Sequence, residues 1–112
     1  MTVLKIFEKV NLVTPVEQRR FFNYFEDGVN ELMLWYGDKL VIEDGKIYAP
    51  PSALSDENVV RPLYRNALVD YILYRAGLGE AHFNMFIQKA KLAYLRYWNT
   101  DTKGKRIKRM RW

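Results

Sequence analysis

The stretch that decides the fold is residues 61–98, RPLYRNALVDYILYRAGLGEAHFNMFIQKAKLAYLRYW. It divides into two helical patterns joined by Gly77-Leu78-Gly79. In the first pattern, Pro62 suits the first position of a helix, where its missing N–H costs nothing. Apolar residues then occupy most faces, as is typical of a buried helix. They are Leu63, Tyr64, Ala67, Leu68, Val69, Tyr71, Ile72, Leu73 and Tyr74. We therefore predict a buried helix at about 62–76.

The second pattern runs from Glu80 to about Trp98 and has one apolar stripe at helical spacing. The stripe consists of Phe83, Phe86, Ile87, Ala90, Tyr94 and Tyr97, whereas Gln88, Lys89, Lys91 and Arg96 lie off it. Gly77 is a natural left-handed cap for the preceding helix. Because the connection is so short, helices 62–76 and 80–98 must form an antiparallel pair.

Two further helical segments precede this pair. Residues 1–13 fit a short helix better than a strand. Thr14 and Glu17 stand at the positions of a capping box, which predicts a helix at about 15–36. Gly28 lies inside that helix at a cost of roughly 1 kcal/mol relative to alanine. Two explanations for this glycine are open: the close approach of another helix, or a surface position at which glycine has no structural role.

A β-hairpin is predicted at about 39–49. Two short runs with strand-forming residues flank Asp44-Gly45, a pair that tolerates the positive φ angles of a tight turn. Pro50-Pro51 ends the second run, and residues 52–60 form a loop. Since an isolated two-stranded ribbon is marginal in water, the hairpin must pack on the helices or on another subunit.

Charge divides the chain into two parts. Of 18 Lys and Arg residues, six lie in the last ten positions, where there is no Asp or Glu. That segment therefore carries +6, and residues 1–102 carry 12 − 13 = −1. We predict a mainly α helical-bundle domain at 1–98 and an extended basic C-terminal tail at 99–112.

The tail is the strongest candidate for a binding segment. Its partner-binding residues are predicted to be Lys103, Lys105, Arg106, Ile107, Lys108, Arg109, Met110, Arg111 and Trp112. Basic groups interleaved with large apolar ones suit nucleic acid or an acidic groove on a protein, although many charged termini are simply solvated. If the fourteen residues from Asn99 to Trp112 are extended, they reach about 46 Å at ~3.3 Å per residue.

No catalytic or metal-binding constellation is present in the sequence. Without cysteine there is neither a disulfide nor a zinc–thiolate site, and His82 alone cannot form a site of several imidazoles. A catalytic histidine needs a converging nucleophile or second acid–base group. We therefore predict no enzyme activity and no cofactor, with His82 at the surface. Asp70, on an apolar helix, needs a partner such as Arg65, Arg75 or a tyrosine hydroxyl.

No signal peptide or membrane span is recognisable, because the apolar runs are short and interrupted by charge. We therefore expect synthesis in the cytoplasm and no membrane partner.

Residues 61–76, RPLYRNALVDYILYRA, resemble the small head–tail connector proteins of long-tailed bacteriophages and prophages, also called adaptor or head-completion proteins. In that family a helix with a Leu-x-Asp-Tyr-x-Leu-like core precedes a second helix rich in Ala, Phe and Tyr. The likeness continues through residues 89–95, KAKLAYL, and covers about half the chain. The hairpin and the basic terminus are not part of the family's pattern.

The resemblance implies a structural virion protein at the head–tail interface. Such proteins form a ring, typically twelvefold, beneath the portal through which DNA is packaged. Their C-terminal segments extend into the portal, and their loops meet the next connector or the tail. The leading hypothesis is therefore a connector that docks on the portal through residues 99–112. The alternative is a small nucleic-acid-binding protein that uses the same basic tail.

Overall fold

Helices make up most of the computed structural model, which describes residues 2–101 and the side chains of residues 2–98. In chain order they are α1 (Leu4–Val13), α2 (Gln18–Tyr36), α3 (Asp38–Val41), α4 (Pro62–Leu73) and α5 (Glu80–Asp101). A π-helical segment, Tyr74–Leu78, joins α4 to α5. The predicted mainly α class is confirmed.

Helix α4 lies at the centre of the molecule, because α1, α2 and α5 all pack against it. Its buried residues are Tyr64, Arg65, Ala67, Leu68, Asp70, Tyr71, Ile72 and Leu73. Pro62 is its first residue, and Gly77 has the left-handed φ of 98° expected of the cap. The predicted buried helix and antiparallel pair are therefore confirmed.

Gly28 marks the closest approach of α2 to α4. A Cβ atom at this position would lie 2.8 Å from Leu68 Cδ2 and 2.9 Å from Tyr71 Cδ2. Both distances are too short for a carbon–carbon contact, so the helices can approach this closely only because residue 28 has no side chain. Of the two explanations left open by the sequence, close approach is the correct one.

The predicted helix at 1–13 is confirmed as α1, but the capping box is wrong. Helix α2 begins at Gln18, and Glu17 is extended with no side-chain cap. Thr14 instead ends α1, where its backbone N–H donates to Val10 O at 3.0 Å. The N–H of Val16 donates to Asn11 Oδ1 at 3.0 Å. With this bond, and with the side chain of Val16 buried in the core, the connection stays extended as far as Glu17.

The predicted β-hairpin is wrong as well. Asp44-Gly45 does form a turn, in which the N–H of Lys46 donates to Glu43 O at 3.1 Å. However, the two flanking segments do not pair with each other, and the part of the chain described here contains only isolated bridges. One of them joins Ile42 to Val60, and the N–H of Glu43 donates to Val59 O at 2.9 Å.

Burial explains why the hairpin does not form. Val41 and Ile42 are consecutive, and both are buried. In a strand with one face in water, successive side chains point to opposite faces, so only one of the two could be buried. Val41 ends the short helix α3 and Ile42 follows in extended backbone, and this change of conformation lets both residues reach the core.

Helix α5 is longer than predicted and continues to Asp101, three residues past Trp98. Residues 99–101 are therefore helical, and the extended tail predicted from residue 99 is wrong over these three positions. Asn99 and Thr100 are moderate helix formers that a preceding helix can accommodate. Residues 102–112, with all nine predicted partner-binding residues, lie outside the described residues.

The close approach at Gly28 generates a stability prediction. Gly28→Ala improves helix propensity by up to about 1 kcal/mol, but the new methyl group must displace Leu68 and Tyr71 in a packed core, at about 1–3 kcal/mol. We expect a net decrease of about 1 kcal/mol in the free energy of unfolding, measured by urea denaturation. Asn30→Ala, at an exposed position of the same helix, is the control and should not reduce stability. A Gly28→Ala protein as stable as the wild type would show that the α2–α4 contact is looser than described.

Candidate interaction surfaces

The segment between α3 and α4, residues 42–61, is a loop held at its two ends by Arg65. This buried guanidinium donates from Nη2 to Asn58 O at 2.9 Å and from Nε to Val60 O at 2.5 Å. Its Nη2 also lies 3.7 Å from Glu43 Oε1. Arg65, which the sequence offered as one of three alternative partners for Asp70, therefore closes the loop.

Backbone hydrogen bonds connect the middle of the same loop to the start of the chain. The N–H groups of Val3 and Leu4 donate to Asp56 O and Leu54 O, each at 2.9 Å. The Asp56 carboxylate accepts bonds from the backbone N–H groups of Ser52 and Ala53, which lowers its pKa. The loop is thus an ordered part of the body, with Ile47 projecting from it into solvent.

Asp70 lies at the contact between α4 and α5 and is almost fully buried. Its Oδ1 is 3.0 Å from His82 Nδ1, and its Oδ2 is 2.6 Å from Lys89 Nζ. The second contact is an ion pair rather than an aligned hydrogen bond. Both partners come from α5, so the sequence correctly predicted that Asp70 needs a partner but not which residues provide it. His82 is partly exposed, as predicted for a histidine at the surface, but its contact with Asp70 was not predicted.

A histidine oriented by a carboxylate is a pair that enzymes use for proton transfer. Here the other carboxylate oxygen is held by Lys89, so the carboxylate connects two positions of α5 that are seven residues, about two turns, apart. We interpret the Asp70 cluster as a clamp that fixes α5 against α4.

Arg75 connects the π-helical segment to α2. Its Nη1 donates to Asp27 Oδ2 at 2.8 Å and to the Tyr71 hydroxyl at 2.9 Å. The guanidinium carbon also lies 4.9 Å from the centre of the Tyr24 ring, within the range of a cation–π contact. Arg75, another of the three alternative partners offered for Asp70, therefore binds Asp27.

Four tyrosines bring together the ends of α2, α4 and α5. Tyr36 stacks on Tyr94 with 4.9 Å between ring centres, and Tyr64 stacks on Tyr97 with 5.7 Å. The N–H of Leu63 donates to the Tyr97 hydroxyl at 3.0 Å. Burial raises the pKa of both Tyr36 and Tyr64. Tyr64 is fully buried and the other three rings are partly buried, so all four contribute to the packing of the body.

Other large apolar side chains are exposed. Ile47 is 90% exposed, Leu12 87%, Leu34 79% and Leu92 64%. Further examples are Leu4, Val13, Trp35, Leu78, Met85, Ile87 and Leu95. Single exposed apolar residues are normal, but adjacent ones on one helix face are typical of a contact surface.

The first such surface is on α5 and consists of Met85, Lys89, Leu92 and Arg96, which we call the α5 outer face. Steps of four, three and four residues place these side chains on one side of the helix. Beside this face is an open groove of about 630 Å³ between α1, α4 and α5. The groove is lined by Lys9, Leu63, Asn66, Val69, Lys89, Leu92, Ala93 and Arg96. Its floor is apolar and its charged groups are basic.

The second surface is on α2 and consists of Asp27, Asn30, Glu31 and Leu34, which we call the α2 outer face. The same helical spacing applies, and the charged groups are acidic. Trp35 lies next to this face, and the centre of its ring is 5.5 Å from the centre of the Phe86 ring on α5.

Sequence reasoning did not single out either surface. The core stripe of α5 was predicted, but Leu92 lies off it between Lys89 and Arg96, and Leu34 lies on the side of α2 that carries Asn30 and Glu31. An apolar residue at a position that periodicity places in solvent was the signal that could have identified both.

Among the described residues, no group of three His, Cys, Asp or Glu side chains could hold a metal ion. Over the same part of the chain, no helix is both long and apolar enough to span a membrane. Comparison with protein-family models, curated proteins and solved structures gave no match to this chain.

The Asp70 clamp generates a second stability prediction. Asp70→Asn removes the charge that holds Lys89 and His82, and should lower the free energy of unfolding by about 1–3 kcal/mol in urea denaturation. Lys91→Gln, at an exposed position of α5, should change it by no more than about 0.5 kcal/mol. If both variants have the same free energy of unfolding as the wild type, Asp70 does not hold the two helices together.

Proposed function

We propose that this protein is a structural head–tail connector of a long-tailed bacteriophage or prophage. In this proposal it forms a ring beneath the portal, docks on the portal through its C-terminal tail, and contacts the next connector or tail protein with its other side. The protein acts by binding, with no catalytic step and no cofactor.

The observation that carries the proposal is the combination of a packed helical body with exposed apolar side chains on several sides. Leu34 on α2, Ile47 in the loop and Leu92 on α5 are each more than half exposed although a large core is available. Side chains of this kind favour burial against another protein. A connector needs several such surfaces, because it contacts ring neighbours as well as partners above and below.

The resemblance of residues 61–76 and 89–95 to connectors supports the proposal independently. These residues belong to α4 and α5, the antiparallel pair on which the body is built. Leu68, Asp70 and Tyr71 of the resembling segment have structural roles here, in the core and in the Asp70 clamp.

The position of the tail also fits this function. In the sequence, residues 102–112 come directly after α5, which ends at Asp101. Eleven residues can reach about 36 Å if they are extended. Six of them are basic, and Ile107, Met110 and Trp112 supply apolar anchors for a groove on a partner.

Nucleic-acid binding is the second candidate, and the same six basic side chains favour it. If they bind phosphates, the logarithm of the DNA affinity should fall against the logarithm of salt concentration with a slope of up to about −5. A protein groove would give little binding to short duplex DNA at physiological salt. This difference separates the two candidates.

The test is a truncation that removes residues 103–112. The body should keep its melting temperature, because the described core lies entirely within residues 2–98. Binding to the portal protein encoded by the same phage or prophage should be lost, as measured by biolayer interferometry. Trp112→Ala in the full chain should mainly speed dissociation, since buried aromatic anchors control residence time.

Two results would contradict the proposal. One is a truncated protein that binds the portal as tightly as the full chain. The other is tight binding of the full chain to short DNA duplexes that weakens steeply with salt, which would favour the second candidate.

A further inference from the structure

We infer that Asp44 is a site of spontaneous covalent modification, where the linkage between Asp44 and Gly45 isomerises to an isoaspartyl bond. The chain contains two Asp-Gly pairs, Asp27-Gly28 and Asp44-Gly45. Both pairs offer the same reacting groups, so only their structural surroundings can distinguish them. The inference rests on the difference between these surroundings, and it does not depend on the proposed function.

The reaction needs only the two residues and water. The backbone nitrogen of Gly45 attacks Cγ of Asp44 and forms a C–N bond. One carboxyl oxygen then leaves as water, with the amide proton and a proton from the solvent, and a succinimide ring remains. Water adds back either at Cγ, which restores aspartate, or at the backbone carbonyl carbon. In the second case the bond from that carbon to nitrogen breaks, so the chain runs through Cβ and Cγ. The water taken up equals the water released, and the composition is unchanged.

The Asp44-Gly45 turn leaves both reacting groups accessible. The side chain of Asp44 is 93% exposed. The N–H of Lys46 donates to Glu43 O at 3.1 Å, and Gly45 has a φ of 76°, as at the third position of a type II turn. Among the described residues, no group accepts a hydrogen bond from the Gly45 N–H. A Cβ atom at Gly45 would meet nothing within 4 Å, so no side chain hinders the nitrogen.

One ion pair acts on the Asp44 carboxylate. Nη2 of Arg61 donates to Oδ1 at 2.9 Å and also to Lys39 O at 3.1 Å. The guanidinium is largely covered, but the carboxylate remains almost fully exposed on its other sides. Ion pairs with an exposed partner hold a side chain only weakly. The pair therefore slows the reaction at Asp44 without preventing it.

The surroundings of Asp27-Gly28 have the opposite character. Gly28 is buried inside α2, where its N–H belongs to the backbone hydrogen bonds of the helix. Its Cα faces the core so closely that a Cβ atom would lie 2.8 Å from Leu68 Cδ2. The Asp27 carboxylate is held by Arg75 at 2.8 Å. Attack by the Gly28 nitrogen would therefore require a core helix to open.

Isomerisation would change the loop of residues 42–61. The isoaspartyl linkage adds one carbon atom to the backbone, so the hydrogen bond from Lys46 to Glu43 can no longer close the same turn. Two contacts beside the turn are affected as well. The N–H of Glu43 donates to Val59 O at 2.9 Å, and Nζ of Lys46 lies 3.1 Å from Glu57 Oε1. We therefore expect this end of the loop to loosen as the protein ages.

The experiment follows both Asp-Gly pairs in the same sample of full-length protein. The folded chain is incubated for several weeks at physiological temperature and pH and is then digested with trypsin. Asp44 falls in the peptide of residues 40–46 and Asp27 in the peptide of residues 21–39. An isoaspartyl peptide keeps its mass, but it has a different retention time and a diagnostic electron-transfer fragment. Isoaspartate should form at least about tenfold faster in the first peptide, because Gly28 reacts only when a core helix opens.

Two controls separate structure from sequence. In urea both pairs are unfolded, so the two peptides should form isoaspartate at similar rates. Asp44→Glu keeps the negative charge beside Arg61, but its reaction would need a larger and less favourable ring. Peptide 40–46 of this variant should therefore show no isomerised form, and its melting temperature should match that of the wild type.

Three outcomes would overturn the inference. One is an equal rate of isomerisation at Asp27 and Asp44 in the folded protein. Another is an unmodified Asp44 in the folded protein when the sample in urea forms isoaspartate at this position. The third is an isomerised peptide 40–46 in the Asp44→Glu variant at the wild-type level. None of these outcomes bears on binding to the portal, which is measured separately.

Discussion

The burial of α4 on nearly all sides is the constraint on which the rest of the structure depends. A helix with apolar residues around most of its circumference is stable only when other elements cover it. Helices α1, α2 and α5 provide that cover, and each fully buried Leu, Ile or Tyr contributes about 1.5–3 kcal/mol that would be lost in water. The closeness of this packing explains why α2 carries glycine at residue 28, where Leu68 and Tyr71 lie against its backbone.

Burial of α4 also determines how its charged residues are used. Arg65 and Asp70 are both buried, and a buried charge is tolerated only with partners. Arg65 satisfies this requirement by closing the loop of residues 42–61. Asp70 satisfies it by holding His82 and Lys89 of α5. The same two residues therefore fix the loop and α5 relative to α4, and this leaves the α2 and α5 outer faces pointing away from the core.

The parts of the fold that could be predicted from sequence depend on local periodicity. The buried α4, the antiparallel pair and the cap at Gly77 follow from spacings of three and four residues and from a short connection. Two of the errors concern contacts between distant residues, and one concerns a local contact. Ile42 forms a bridge with Val60 and does not pair within a hairpin. His82, the partner of Asp70 that lies nearest in the sequence, is twelve residues away. The capping box at Thr14 failed because Asn11 binds the N–H of Val16, a contact no capping pattern contains. Of the candidate sites, the predicted tail lies beyond the described residues. The two outer faces are defined by the exposure of Leu34 and Leu92, which periodicity alone did not reveal.

We propose that the uncovered faces of this body serve assembly into a ring. Negative-stain electron microscopy of the purified full chain, alone and with the portal protein, tests it most directly. The account predicts closed rings of one size, either alone or on the portal, with each subunit in the same orientation. Single subunits under both conditions, or open filaments that never close, would contradict it.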